Sequence, residues 1–277
     1  MTLHSKKYFQ MNGLGNKILV VDMREDNSPI DPQEVAKINK TPVLSFDQLM
    51  VLREPKTSGT LRYVQIFNSD GSEARACGNG TRCVAWYLSQ ENELPIFSIE
   101  TVAGILICEK ESEWQYRVDM GEPKLDWQEI PLASAHDTLS TSFILPEYPN
   151  LPDAVCVNMG NPHIIFFVPD VASIPLRDIG PILEHDALLP DRANVSFVQV
   201  DTRTHLIQRV WERGAGATRA CGTGACAALV AGARRDLTER HARVSLPGGD
   251  LHIEWRDNNH VMLQGPVELE SVGNFIF

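Results

Sequence analysis

Two stretches of the chain carry one pattern: Arg75-Ala76-Cys77-Gly78-Asn79-Gly80 and Arg219-Ala220-Cys221-Gly222-Thr223-Gly224.

 Both read Arg-Ala-Cys-Gly-x-Gly, and both run straight into small and apolar residues, Val84-Ala85-Trp86 in one and Ala227-Ala228-Leu229-Val230 in the other. A Gly-rich loop entering an apolar run predicts a helix N-terminus, where several backbone N–H groups have no partner within the helix. Such an end carries partial positive charge and takes anions, carboxylates included. A cysteine there has its thiolate favoured, so both thiols are expected below the ordinary value of about 8.5. Gly78, Gly80, Gly222 and Gly224 keep side chains off those amides. One copy would read as an inert packing cysteine. Two copies with cysteine at the same offset, 144 residues apart (77 to 221) in a chain of 277, predict two related halves with one cysteine each.

The chemistry open to such a pair is proton transfer at carbon. With two cysteines at facing helix N-termini in a cleft between domains, the amides would hold a substrate carboxylate and the sulfurs would approach the adjacent carbon from opposite faces. One, as thiolate, removes a proton; the other, as thiol, returns one; the carbon inverts. The amides oppose the charge that develops as the α-proton leaves, and closure of the cleft excludes water.

The elements that position these residues must fit the rest of the chain. Its length predicts two domains of ordinary size, and 43% hydrophobic with 22% charged residues is the balance of a soluble globular protein. A formal charge of −11 without a Lys/Arg-rich block argues against nucleic acid or an anionic membrane as partner. No apolar run approaches a membrane span, and Met1–Tyr8 lacks the apolar core of a secretory signal, so a cytoplasmic location is expected. Six cysteines in a reducing compartment are not expected to form disulfides. The Cys77/Cys83 spacing is wider than the usual zinc pair and Cys221/Cys226 lies at its upper edge; no metal is expected. Cys83, Cys108, Cys156 and Cys226 read as packing residues.

Along the chain, Phe9–Asn16 reads as a turn-rich lead into a short buried strand, Ile18–Val21. Asp31-Pro32 predicts the cap and first residue of a short helix. Strands are expected at Leu49–Leu52 and Leu61–Phe67, the latter ending at an Asn68–Gly71 turn, followed by the first cysteine loop and a helix to about Ser89. A hairpin over Ile96–Ile107 and a strand over Trp114–Met120 precede a Pro-rich stretch near whose start the domain boundary falls. In the second half, strands are expected at Ala154–Val157, Ile164–Val168, Ala193–Val200 and His205–Trp211. His163 lies at the mouth of a turn, and a helix opens at Ile179. The second cysteine loop, its helix to about Arg234 and three short strands complete the chain. No βαβ alternation is apparent, and neither Gly-rich loop is a dinucleotide or P-loop fingerprint, so no cofactor is expected.

Further residues turn this pattern into a resemblance: Asn12-Gly13-Leu14-Gly15-Asn16, Phe46-Asp47-Gln48, Phe67–Glu73, Gly160-Asn161-Pro162-His163, Arg192-Ala193-Asn194-Val195 and Glu212-Arg213-Gly214. With the two cysteine loops these resemble the diaminopimelate epimerase family over essentially the whole chain. The resemblance implies an α+β fold of two pseudo-symmetric domains, each a β-rich, barrel-like sheet around a central helix, with the active site in the interdomain cleft. The domains it implies are 1–122, completed by 264–277, and 123–263. The implied activity is that of an isomerase, a cofactor-independent (PLP-independent) epimerase interconverting LL- and meso-diaminopimelate in lysine and peptidoglycan precursor biosynthesis.

The same resemblance implies Cys77 and Cys221 as the two bases, with Gly78, Asn79, Gly222 and Thr223 at the α-carboxylate. Asn16, Gln48, Asn68, Asn161, Asn194, Glu212 and Arg213 would surround the substrate, Arg213 suiting a distal carboxylate by its fork. His163 and Glu212 would tune the thiols. Lys17 and the lead-in Thr41-Pro42-Val43-Leu44-Ser45 depart from the family pattern, as does Glu270–Gly273, which lacks an aromatic some relatives use in a dimer contact; a homodimer is left open. A proline or hydroxyproline racemase of the same fold and a non-catalytic binder of amino-acid carboxylates remain the alternative readings.

Overall fold

The computed structural model describes residues 5–26, 28–41 and 44–276. Pro42 and Val43 of the divergent lead-in, and Met1–His4, lie outside the described residues. The chain forms two compact units: one from the residues up to Asp119 with those from Gln264 onward, the other from Met120–Leu263.

In the first unit the elements are β1 (Ser5–Gly13), β2 (Asn16–Asp22), α1 (Pro32–Asn39), β3 (Gln48–Arg53), β4 (Tyr63–Asn68), β5 (Glu73–Ala74), α2 (Gly78–Ser89), β6 (Ile96–Thr101), β7 (Gly104–Lys110) and β8 (Gln115–Asp119). In the second they are β9 (Val155–Asn158), β10 (Pro162–Phe167), α3 (Leu176–Glu184), β11 (Asn194–Thr202), β12 (His205–Glu212), β13 (Gly216–Thr218), α4 (Gly222–Arg234), β14 (His241–Leu246) and β15 (Gly249–Trp255). The chain then runs through β16 (Val261–Pro266) to β17 (Glu268–Ile276), which pairs with β1.

The two units repeat one topology. An antiparallel hairpin opens each, β1–β2 and β9–β10. A short helix then leads to a strand parallel to the second arm, β3 beside β2 and β11 beside β10. An antiparallel strand, a short return strand and the long helix follow, and the next strand lies parallel again, β6 beside β4 and β14 beside β12. Helical crossovers between parallel strands are therefore present, contrary to the sequence reading. Their helices are short or of unusual composition, and the flanking strands mix parallel with antiparallel neighbours, which hides the alternation.

In each unit the strands wrap the long helix. The α2 helix is buried from end to end and packs on β1, β2, β3, β7 and β8. The α4 helix packs on β9, β10, β11, β12, β14 and β15. Apolar residues all round, as in Cys83-Val84-Ala85-Trp86-Tyr87-Leu88, leave a helix no face for water. In α4 the alanines at 225, 227, 228 and 231 are fully buried, small enough for strands to approach on several sides. No helix among the described residues is long and apolar enough to cross a membrane.

Phe9–Gly13 is strand rather than turn. Only Leu14 and Gly15 turn, both at positive φ (62° and 84°), the pair a two-residue hairpin needs. Asn12 Oδ1 accepts the Gly15 N–H at 2.7 Å and secures the reversal. Lys17 acts through its backbone: its N–H donates to Asp47 Oδ2 and its carbonyl accepts the Asp47 N–H, both at 2.8 Å. The unusual side chain at 17 is exposed and leaves that link unaffected.

Candidate functional site

The duplicated topology sets corresponding polar residues at corresponding strand ends. In the first unit Ile18, Gln48 and Asn68 lie in one cross-strand row. In the second, His163 pairs with Asn194, and Glu212 is the next residue after Trp211, the partner of Val195. Asn68 and Glu212 each stand nine residues before their cysteine. Gln48 and Glu212 are thereby set beside the cysteine of their own unit.

Cys77 caps α2 with an extended backbone, and its Sγ accepts the Gly80 N–H at 3.2 Å. That donor stabilises negative charge on sulfur. The Gln48 amide stands 3.8 Å from Sγ, where its oxygen takes the thiol proton; turned over, its NH2 would face a thiolate. Gly80 is required here because a Cβ would lie 2.5 Å from the Met50 sulfur. Buried Arg82 donates to the Gly78 carbonyl and to Asn79 Oδ1 (3.4 and 3.1 Å), fixing the first turn. Asn68 donates to Ser72 Oγ at 3.0 Å, and the buried Asn16 Oδ1 has no hydrogen-bond partner.

Cys221 caps α4 in the same extended conformation but is 4% exposed. Burial, then the charge of Glu212 and a hydrogen bond to its carboxylate, hold this thiol well above its ordinary value; Thr223 and the Gly224 N–H oppose them less strongly. The expectation of two lowered thiols is thereby corrected for Cys221. A helix N-terminus favours the thiolate, but desolvation and an adjacent carboxylate outweigh it. Glu212 also accepts the Thr218 hydroxyl at 2.5 Å. The two sites are consequently unlike: each sulfur has the N–H three residues on, of Gly80 or Gly224, but Cys221 alone of the two has a carboxylate described beside it, that of Glu212. At pH 8 iodoacetamide should alkylate Cys77 at least about tenfold faster than Cys221, a difference peptide mass spectrometry would resolve.

His163 is the second residue of β10, one step beyond the Asn158–Pro162 pair that closes the β9–β10 turn, and it is fully buried. Its Nε2 is 2.9 Å from Asn161 Oδ1, and its Nδ1 has no hydrogen-bond partner. Burial first, and the Arg213 charge second, push its pKa down to about 3, so the ring is neutral. The unfolded chain takes up a proton near pH 6.5 that the folded chain refuses until near 3, so this group makes stability fall as pH drops below 6.5. The slope is about 1.4 kcal/mol per pH unit. Urea titrations of His163→Gln should show that slope flattened between pH 5 and 6.5. Asn194 donates to the Pro162 carbonyl (3.2 Å) and accepts the Arg213 N–H (2.9 Å), while Arg213 Nη1 donates to the Asp191 carbonyl at 2.9 Å.

Two residues that sequence reasoning passed over belong to this neighbourhood. Gln208 is fully buried on the inward face of β12, donates to Ser196 at 2.8 Å, and leaves its Oε1 unpartnered. A Cβ on Gly224 would lie 3.3 Å from both the Gln208 amide nitrogen and the Cys221 sulfur. An amide between the inward-facing Leu206 and Val210 was a legible signal. Glu184, the last residue of α3, is buried with its carboxylate on Trp211 and Gly214. The remaining cysteines are packing residues: burial pushes the thiols of Cys83 and Cys108 up to about 12 and that of Cys156 to about 11.

Comparison with known proteins gives a consistent result. A family model described as diaminopimelate epimerase matches residues 8–125 and 155–270, with Cys77 in the first segment and Cys221 in the second. The chain is 49% identical to the diaminopimelate epimerase of Methylocella silvestris, over 94% of this chain and 91% of that protein. It is 47% identical to that of a Methylobacterium species, covering 99% and 96%. Among solved structures, a phenazine biosynthesis protein of the PhzF family from Enterococcus faecalis superposes with a TM-score of 0.71 at 16% identity, covering 99% and 100%. A hydroxyproline epimerase from Agrobacterium vitis gives 0.67 at 13% identity, covering 99% and 93%. Both share the fold.

Proposed function

The chain belongs to the diaminopimelate epimerase family, and from that premise we propose that it interconverts LL- and meso-diaminopimelate with Cys77 and Cys221 as the two bases. The observation that supports this most is the pair of cysteine caps at matching positions of a repeated topology, Cys77 on the Gly80 N–H and Cys221 beside the Glu212 carboxylate. In one direction Cys77, its charge supported by the Gly80 N–H, removes the α-proton while the Cys221 thiol delivers one to the other face. In the other direction the Glu212 carboxylate accepts the Cys221 proton and Cys221 becomes the base.

The open N–H groups of α2 and α4, about Gly78-Asn79 and Gly222-Thr223, hold the α-carboxylate and oppose the charge that builds up on it. Asn16, Gln48, Asn68, Asn161, Asn194, Glu212 and Arg213 take the remaining polar groups, with Arg213 on the distal carboxylate. Neutral His163 offers its Nδ1 lone pair as an acceptor. The reaction needs no cofactor in this reading, and a cytoplasmic location goes with it.

Incubation with LL-diaminopimelate in D2O tests the proposal: α-deuterated meso product should accumulate, with proline left unexchanged. Exchange of proline with diaminopimelate untouched would transfer the assignment to the proline-type racemases. Silence with both would leave a carboxylate-binding protein.

A further inference from the structure

Glu184 carries a carboxylate that is only 4% exposed, far from the cost-free setting of a surface charge. Its oxygens go to the two residues that flank Glu212-Arg213. Oε2 accepts the Trp211 indole N–H at 2.7 Å, and Oε1 accepts the Gly214 N–H at 3.0 Å. Arg192 Nη1 stands 3.7 Å from Oε1. Gly180, one turn earlier on α3, is pressed to the same indole, where a Cβ would come within 2.6 Å. Gly214 has a left-handed φ of 73°, and the Ala215 N–H returns to the Glu212 carbonyl at 3.0 Å, so the chain reverses at the point Glu184 holds. On the strand side Asn194 fixes the Arg213 N–H.

We propose that Glu184 is the positioning residue for Glu212 and Arg213, its two oxygens clamping the chain on either side and holding the Glu212 carboxylate at the Cys221 thiol. Its consequence for catalysis rests on the assignment of Cys221 as a base; the clamp itself lies wholly within the second unit. If Glu184 served packing alone, its loss would weaken the unit and leave the chemistry of Cys221 as it was.

The test compares the wild type, Glu184→Gln and Glu212→Gln by the pH dependence of iodoacetamide alkylation at Cys221, with buried Cys226 as the monitor of local opening. Glu184→Gln keeps the shape but turns an NH2 toward one of two N–H donors, breaking one arm. Facing the Cys221 sulfur are Glu212, the Thr223 hydroxyl and the Gly224 N–H, with the Gln208 amide behind Gly224; of these Glu212 is the carboxylate. Glu212→Gln should lower the midpoint by about one pH unit. Glu184→Gln should shift it in the same direction by at least about half as much, with Cys226 unreacted, and lower kcat about tenfold.

A Glu184→Gln midpoint that coincides with wild type, or Cys226 reacting in step with Cys221, overturns the proposal, as does an unmoved midpoint in Glu212→Gln. These outcomes are read without turnover. Wild-type protein that leaves diaminopimelate unchanged would instead remove the two-base reading and leave the alkylation result standing.

Discussion

Replacing Cys77 or Cys221 by alanine is expected to lower epimerisation by about 10³- to 10⁴-fold, the upper range for a positioned acid–base group. The two variants should nevertheless differ in what survives. With one sulfur left, a proton can be removed and a deuteron returned only on that sulfur's face, so exchange persists without inversion. Each variant should therefore carry deuterium into one isomer and not the other. Cys77→Ala should also show the weaker residual exchange near neutral pH, because the remaining Cys221 thiol is held up by burial and Glu212. Proton NMR of each isomer in D2O reads both effects at once. Equal exchange of both isomers by either variant would contradict the two-base assignment.

Gly71→Ala is expected to give a large loss of stability, about 2–4 kcal/mol in urea unfolding. Gly71 closes the turn after Asn68, with its N–H on the Asn68 carbonyl at 2.9 Å and a φ of 89°. A Cβ there would lie 2.1 Å from the Pro32 carbonyl oxygen, a backbone atom at the start of α1. Since neither backbone can yield without moving its element, the cost adds to that of the left-handed conformation. Gly59→Ala separates the two contributions: φ is 91°, yet nothing lies within 4 Å of its Cβ position. It should cost about 1 kcal/mol. Similar losses in both variants would show that the approach to Pro32 is relaxed in solution.

What the chain discloses by inspection and what it withholds divide along sequence distance. The cysteine caps, the α1 cap with Asp31 accepting the Gln33 N–H, and the strands β3 and β4 follow from residues within a few positions of each other. The strand β1 does not. Its glycine and asparagine residues read as turn, and it is made a strand by partners at both edges, one of them β17. The state of Cys221 was likewise out of reach, because a helix N-terminus is local whereas burial and the Glu212 carboxylate are not. Glu184 stands 28 residues before Glu212 and reaches its neighbours only through folding. Site residues carried by resemblance could be listed from the sequence; which of them press on one another could not.

The pairing of β1 with β17 also bears on the order in which the protein is made. On the ribosome β1 has one partner, β2, close behind it, while the other, β17, emerges only after the entire second unit. The contiguous second unit has all its sheet partners in hand earlier. The usual order of N-terminal domain first is thus reversed for completion: the nascent chain carries an open strand edge through most of its synthesis. Such an edge invites pairing with other chains, so slow or interrupted translation beyond Leu263 should favour aggregation through β1.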